Sequence, residues 1–260
     1  MISAFANTLK IPELRQRILF TLAMVVIVRV GAAIPLPGVN AEVLQYAFRN
    51  SSPDEGGAVT ALINVFSGGG LQNCAIFALG IMPYISASIM MQLLTAVVPR
   101  LSKLAREDGG RSKINMYTRY VTIVLCLVQG GILARSLADP GKNIFLQSFA
   151  SAIEQTGQEL VPNYGFWFVM VSIIVITAGT MLLMWLGEQI TERGIGNGIS
   201  LIIAVNIVSA LPGALVQVWQ TYITGAESGN VMQPVQLVML VALLITVIAA
   251  VIAITQAVRK

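Results

Sequence analysis

The sequence is 260 residues long, with 56% hydrophobic and 11% charged residues, 16 lysines and arginines against 12 acidic residues, and no histidine. Soluble domains carry about 25% charged residues, so this composition excludes an ordinary soluble fold and predicts an all-α, polytopic membrane protein. The absence of histidine, and of Asp or Glu from the predicted spans, argues against an enzyme or a proton pump. We therefore predict no catalytic residue, no metal site and no cofactor.

Six apolar stretches, each close to the roughly 20 residues that a membrane-spanning helix needs, follow one another along the chain. They are Ile18–Ile34, Ile76–Val98, Met116–Leu137, Tyr164–Leu186, Ile199–Trp219 and Pro234–Ile254. Arg29 lies near the end of the first stretch, where its side chain could snorkel to the nearer interface as an anchor with no further role. A functional role for Arg29 stays open as the alternative.

The positive charges are unevenly divided between the two sides that six spans define. Of the 16 lysines and arginines, three (Arg49, Arg135 and Lys142) fall on one side, Arg29 lies in a span, and twelve fall on the other side. The twelve are Lys10, Arg15, Arg17, Arg100, Lys103, Arg106, Arg111, Lys113, Arg119, Arg193, Arg259 and Lys260. The positive-inside rule therefore predicts that both termini are cytoplasmic. The basic stretch Arg100–Arg119 is predicted to be a loop that either serves only this topology or also contacts anionic lipid head groups or a cytoplasmic partner.

A short apolar stretch, Val59–Phe66, precedes the second span and would be only about 12 Å long as a helix, too short to cross a bilayer. Gly68, Gly69 and Gly70 follow it, and glycine lets the main chain turn where other residues are strained. Pro83 is predicted to interrupt the hydrogen-bond ladder of the second span. A half-helix folded back before a full span is tolerated only where it lines a cavity, because its free main-chain groups find no partners in lipid. The pattern indicates a channel or a transporter.

The turn between the fourth and fifth spans is rich in charged residues and glycine. Two glutamates one helical turn apart precede an arginine, and three glycines then permit a tight reversal into the next helix, which an asparagine can cap. These residues are Glu188, Glu192, Arg193, Gly194, Gly196, Gly198 and Asn197. A nucleotide-binding loop is excluded, since Ile199 stands where the third glycine of that motif belongs and no strand precedes it. The residues alone predict a well-formed turn.

The remaining features are less specific. Cys74 and Cys126 lie within apolar stretches and lack CxxC spacing, which favours buried free thiols over a disulfide or a metal site. The polar stretch Ala41–Ala58 predicts an exposed loop. Loosely helical apolar spacing in Asn143–Val161 predicts an interfacial lip.

Three stretches of the chain resemble the SecY family, the pore subunits of bacterial protein-translocation channels. They are RVGAAIPLPGV (Arg29–Val39), FSGGGLQNCAIFALGIMPYISASIMMQLL (Phe66–Leu94) and GTMLLMWLGEQITERGIGNGISLII (Gly179–Ile203). That family has ten spans in two inverted halves around an hourglass pore, so the resemblance implies the N-terminal half of an inverted-repeat channel, truncated after its sixth span. It implies a cytoplasmic segment at 1–17, an N-terminal transmembrane half at 18–219, and the first span of the second half at 234–260.

The resemblance also implies roles for particular residues. Residues 59–70 match the re-entrant plug half-helix that closes the resting pore. Its plug and hinge positions are Leu62, Phe66, Ser67, Gly68, Gly69 and Gly70. Ile81, Ile85 and Ile203 match the pore ring, and a ring of branched aliphatic side chains can seal against water and ions. The turn at Glu188–Gly198 is implied to be a joint of the channel scaffold.

The implied function is that of a passive gated conduit in the bacterial inner membrane, through which unfolded secretory chains cross and apolar segments exit into lipid. The implied partners are the SecE and SecG subunits, the SecA motor ATPase and the ribosome, the last two mainly through the second half of the protein. Direct nucleic-acid binding is not expected from this half. The alternative is a secondary transporter, which should show polar ligands at mid-membrane. The spans offer little beyond Arg29, Gln129 and Asn206.

Overall fold

The computed structural model describes residues 11–40, 43–44, 46, 64–107, 109–138, 153–154, 157–219 and 234–257. In these ranges the secondary structure is helical apart from one isolated antiparallel bridge between Pro35 and Ala75. The main helices are α1 (Pro12–Ala33), α2 (Met82–Val97), α3 (Pro99–Arg106), α4 (Gly110–Ala138), α5 (Phe166–Arg193), α6 (Gly198–Trp219) and α7 (Pro234–Ala257).

A helix lies at each of the six predicted spans. In the described part of the chain, four helices are long and apolar enough to cross a membrane, or five if the bent pair α2–α3 counts as one span. The four lie at Pro12–Ala33, Gly110–Leu137, Phe166–Arg193 and Gly198–Val216, and Val241–Ala257 forms a shorter apolar helix. The helices α1, α4 and α5 extend beyond the apolar stretches into charged residues. The predicted apolar stretches therefore coincide with helices, of which four or five are long and apolar enough to cross a membrane, although the sequence did not give the ends of the helices.

The prediction for the second span was wrong at its beginning. Helix α2 begins at Met82, with Pro83 in its first turn, and Ile81 is the residue that precedes it. Residues 68–81 form successive turns instead of the first part of a long helix. Proline is tolerated in a first helical turn because its missing N–H has no helical partner there. Pro83 thus starts the helix and does not interrupt it. We call residues 64–81 the turn segment.

The basic stretch Arg100–Arg119 is also helical where a loop was expected. The chain bends by 100° between α2 and α3, next to Pro99. Helix α3 is short, and Arg100, Lys103 and Arg106 are all exposed on it. The long helix α4 then begins at Gly110, so the remaining basic residues of this stretch extend α4 beyond its apolar part.

Two buried clusters hold the first compact unit, Met1–Ser209, together. Helix α4 packs against both α2 and α5, and α1 packs against α5. The Leu36 cluster comprises Leu36, Val43, Leu44, Cys74, Leu137, Leu160, Val161, Phe168 and Ile176. The Ile81 cluster comprises Val28, Ala32, Phe77, Ile81, Leu183, Leu186, Ile190 and Ile202. Both clusters receive side chains from the turn segment, which is therefore packed inside this unit and is no surface loop.

Several sequence predictions fall outside the described residues. They include Leu62 and most of the loop at 41–58, and the interfacial lip at 143–161 is described only at 153–154 and 157–161. Of the short helix at 59–66, only the last turn is described, and residues 64–67 are helical. The second compact unit is Ala210–Lys260, so the division falls within α6. The predicted border between two transmembrane halves stays a prediction.

Candidate functional site

The turn segment is tied to the end of α1 by main-chain and side-chain hydrogen bonds. The Leu36 N–H donates to the Cys74 carbonyl over 2.8 Å, and the Ile76 N–H donates to the Ile34 carbonyl over 3.0 Å. The Asn73 amide donates to the Ala32 carbonyl over 3.1 Å. The last carbonyls of a helix lack partners within the helix, and the bonds from Ile76 and Asn73 supply partners for two of them. The end of α1 and the breaker sequence after it thus provide two acceptors and one donor that position the turn segment.

Arg29 points towards the turn segment and does not snorkel. Its Nη1 donates to the Gly68 carbonyl over 3.1 Å, and its Nη2 donates to the Val205 carbonyl of α6, also over 3.1 Å. The side chain is partly buried. A guanidinium presents its donors in a fixed fork, so one arginine can bridge two carbonyls on different elements. These contacts contradict a snorkelling side chain, and a functional role for Arg29 stays a prediction.

Asn206 of α6 reaches the same place from the opposite side. Its Nδ2 donates to the Phe66 carbonyl over 2.9 Å, and its side chain is 2% exposed. Its Oδ1 is buried and has no hydrogen-bond partner among the described residues. Gly68 has a φ of +67°, and a Cβ there would lie 2.6 Å from Asn206 Oδ1 and 2.9 Å from Arg29 Nη1. The main chain at Gly68 therefore lies directly against both side chains and leaves no space for a side chain of its own.

The other predicted plug and hinge positions form a tight turn. The hydroxyl of Ser67, which is 2% exposed, donates to the Asn64 carbonyl and accepts from the Leu71 N–H. Gly69 has a φ of +87°, and its N–H donates to the Asn64 carbonyl over 2.9 Å. Gly70 is buried and follows in the same series of turns. The reversal after residues 64–67 was thus correctly predicted from the three glycines.

The three isoleucines predicted to form a pore ring lie in or beside one cluster. Ile81 is 1% exposed within the Ile81 cluster, and Ile85 and Ile203 pack against it from α2 and α6 as partly buried residues. The Ile85 N–H donates to the Ile81 carbonyl, so the two side chains are one turn apart, although Ile81 itself precedes the helix. Ile81 is covered on all sides within this chain, whereas Ile85 and Ile203 keep free surface. Their role as a ring stays a prediction.

The turn between α5 and α6 is capped as predicted. The Asn197 Oδ1 accepts from the N–H groups of Ile199 and Ser200 over 3.1 and 3.2 Å, which is the bonding of a helix N-cap. The Gly198 N–H donates to the Thr191 hydroxyl over 2.9 Å. Gly196 has a φ of +71°. Together these contacts fix the direction in which α6 leaves the turn, and so the position of Asn206 along it.

The charged residues of this turn have separate surroundings. Glu188 accepts two hydrogen bonds from Arg119 of α4, at 3.2 Å from Nε and 2.7 Å from Nη2. Arg193 lines an open cleft of 460 Å³ beside the beginning of α1 and close to Gly194. The lining residues of that cleft are Glu13, Gln16, Arg17, Phe20, Glu192 and Arg193. The ion pair between Arg119 and Glu188 links α4 to α5. The cleft is lined by acidic and basic side chains and, among the described residues, by no nucleophile.

No group of three metal-ligating side chains occurs in the described ranges. Cys74 and Cys126 are buried free thiols there, as predicted. The arrangement therefore offers hydrogen-bond donors that hold a main-chain segment, and apolar side chains packed beside it. This chemistry suits a gate.

Sequence reasoning missed the convergence of Arg29, Gly68 and Asn206. The usable signal was that a charged or amide side chain within an apolar span must find a partner. The half-helix, conversely, must find donors for its last carbonyls. Nothing in the sequence indicated that these two requirements meet at one place, since Arg29 and Val205 are 176 positions apart.

A bundle of apolar helices that encloses a turn segment held by polar side chains belongs to the class of multi-pass membrane channels and transporters. The family model for SecY matches residues 75–260. The chain therefore belongs to the SecY family, and it is a multi-pass membrane protein.

Individual relatives agree with this assignment. The chain is 44% identical to the protein translocase subunit SecY of Streptomyces galbus, over 83% of this chain and 47% of that protein. Its fold resembles Sec61 in the canine ribosome-channel complex from the endoplasmic reticulum, with a TM-score of 0.54 at 19% identity over 83% of this chain and 42% of that one. It also resembles a SecY whose plug domain stabilises the closed channel and maintains a membrane seal, with a TM-score of 0.50 at 20% identity over 83% of this chain and 41% of that one. The chain spans about half the length of the curated relatives it matches.

Proposed function

We propose that this chain supplies the N-terminal half of the pore-forming subunit of a protein translocase. The observation that carries the proposal is a main-chain segment packed inside a membrane helix bundle and hydrogen-bonded to Arg29 and Asn206. Residues 64–70 act as part of a plug that closes the resting channel, in keeping with the plug described for the SecY structure to which the fold is similar. The channel passes unfolded polypeptides and releases apolar segments sideways into lipid.

The division into halves is part of the proposal. Residues 18–219 form the first transmembrane half, after a cytoplasmic segment at 1–17, and residues 234–260 begin the second half. The location is the bacterial inner membrane. The partners are SecE and SecG as companion subunits, and the SecA motor and the ribosome on the cytoplasmic side, where the N-terminus lies. Conduction itself is passive, and the energy comes from the motor or from translation.

Transport of a signal-bearing polypeptide into vesicles tests the function. We expect residues 1–260 together with the spans that follow the sixth in the Streptomyces galbus relative, SecE, SecG and the motor to give protease-protected substrate. Residues 1–260 without the second half should give none, because one half cannot enclose the pore. Membrane helices insert first and associate afterwards, so two separate fragments can pair.

The same vesicles separate the proposal from the secondary-transporter alternative. Uptake of a small solute driven by an ion gradient, without polypeptide transport by the paired halves, would favour the transporter. Efficient polypeptide transport by residues 1–260 alone would contradict the pore geometry proposed here.

Thiol labelling tests the orientation. Single cysteines at Asp54 and Lys142 should react with a membrane-impermeant reagent added outside, and a cysteine at Lys103 should react only after permeabilisation. The reason is the division of basic residues, twelve on one side against three on the other. The parent chain is the blank, since its two cysteines are buried. Labelling of Lys103→Cys from outside would show that the predicted number of spans is wrong.

A further inference from the structure

We infer that Arg29 and Asn206 are positioning residues that hold the plug closed by bonding to its main chain. The clasp consists of these two side chains and the carbonyls of Phe66, Gly68 and Val205. Two of its three hydrogen bonds fix the plug, and the third joins α1 to α6 across it. The inference rests on the proposed function, in which residues 64–70 belong to the plug.

The acceptors of the clasp are carbonyls that need a partner. Phe66 and Gly68 lie at the end of the helical turn 64–67, where carbonyls are not satisfied by the helix itself. A main-chain carbonyl left unpaired in apolar surroundings costs free energy, and a charged donor makes the stronger bond. Arg29 and Asn206 therefore stabilise the plug where it lies, and they do so only while its main chain is within reach.

The fit at Gly68 requires a residue without a side chain between Arg29 and Asn206. A Cβ at this residue would meet both Asn206 and Arg29 at less than 3 Å, so the two side chains close on bare main chain. Gly68 also has a positive φ, which residues with a side chain rarely adopt. A shift of the plug that brought Ser67 to this place would put a side chain into the space, whereas Gly69 on the other side would not. The clasp thus excludes a shift in one direction.

The clasp is also built to release. Its contacts with the plug are hydrogen bonds to main chain, which water in an opened channel can replace. In an opened channel water would reach the Arg29 guanidinium and the Asn206 amide and take the place of the lost carbonyls. The clasp thus holds the plug in the closed channel and still allows the plug to move away when the channel opens.

The labelling rate of a thiol placed in the plug measures whether the clasp keeps the plug in its closed position. Ser67, 2% exposed, is replaced by cysteine, Cys74 is replaced by alanine, and Cys126, 0% exposed in α4, stays as an internal control of folding. The two halves of the channel are reconstituted as above, and the rate of labelling by a water-soluble reagent is read separately at positions 67 and 126. The variants on this background are Arg29→Met, Asn206→Ala, both together, Arg29→Lys and Ser209→Ala.

The rate at position 67 should rise about tenfold in Arg29→Met, which corresponds to about 1.4 kcal/mol, and further in the double variant. Arg29→Lys should give a smaller rise, since an ammonium lacks the fork that bridges two carbonyls. Ser209→Ala is the matched control, because among the described residues its hydroxyl bonds only to the Asn206 carbonyl of its own helix. It should label like the parent, and position 126 should stay unreactive throughout.

The inference fails if position 67 in the double variant labels within twofold of the parent while position 126 stays protected. If position 126 reacts in Arg29→Met, that variant is not normally folded. The milder Arg29→Lys and Asn206→Ala variants are then used instead, and the labelling rate at position 67 is judged by the same twofold limit. Chloride flux through the same vesicles distinguishes this failure from that of the proposed function. A reactive position 67 without a chloride leak would support the clasp and contradict the role of the plug as a seal.

Discussion

Replacing Gly198 by alanine should prevent the N-terminal unit from folding normally. Gly198 is the first residue of α6, and a Cβ there would overlap the Gly187 carbonyl oxygen of α5 and lie 2.8 Å from the Ile190 Cβ. Both neighbours belong to a well-formed helix that cannot move aside. Overpacking of this kind costs about 1–3 kcal/mol, and here it also disturbs the N-cap at Asn197. We expect less protein in the membrane and a lower Tm in detergent.

Gly213→Ala is the matched control for this prediction. Gly213 lies in the same helix, and a Cβ there would have no atom of the described residues within 4 Å. Glycine in a helix interior is less favourable than alanine by roughly 1 kcal/mol, so Gly213→Ala should leave the Tm unchanged or raise it slightly. Equal Tm values for the two variants would contradict the close approach of α5 and α6 at the turn.

The sequence predicted the spans because an apolar stretch of about 20 residues has few other uses. It did not give the helix ends, since the apolar stretch marks the membrane while the helix continues into water. Helix α1 begins at Pro12 and α5 runs to Arg193, both among charged residues. Pro83 shows a second limit. A proline at this position is compatible with a kink inside a helix and with the first turn of a helix. The structure decides for the first turn, because the residues directly before Met82 form turns and no helix.

The candidate site was predictable in part for a related physical reason. Local features such as the reversal at Gly68 and the cap at Asn197 depend on residues adjacent in sequence, and both were foreseen. The partner of Arg29 depends on packing between three elements, and composition cannot supply it. The sequence shows only that Arg29 needs hydrogen-bond acceptors near the membrane interior. The sequence alone favoured an anchor role for Arg29, left a functional role open, and did not identify Gly68 as the partner.

Opening the apolar seal should have the largest functional effect. In the channel reconstituted from both halves, Ile85→Ser and Ile203→Ser together should raise chloride flux several-fold in the resting state. A narrow apolar constriction excludes ions because it does not wet, and a hydroxyl at its wall lets water enter. Both residues are partly buried beside the Ile81 cluster, so serine there should leave most of the packing intact.

Ile81 requires a different experiment from its two neighbours. At 1% exposure it is enclosed by other side chains of this unit, and truncating a buried isoleucine costs about 2–5 kcal/mol. We expect Ile81→Ser to lower the amount of folded protein before any leak can be measured. Ile81→Val keeps a branched side chain, so it should fold and stay tight. A leak in Ile81→Val would show that ring closure depends on the full width of this side chain.

The control for the seal is Ile89→Ser. Ile89 lies one turn beyond Ile85 on α2, is 52% exposed and belongs to neither buried cluster. It carries the same chemical change on the same helix, so a leak there would indicate general loosening of α2. Chloride flux that rises in Ile85→Ser with Ile203→Ser but not in Ile89→Ser places the seal at the edge of the Ile81 cluster. Flux equal to that of the parent would mean that Ile85 and Ile203 only pack, and the seal would then have to lie in the plug held by Arg29 and Asn206.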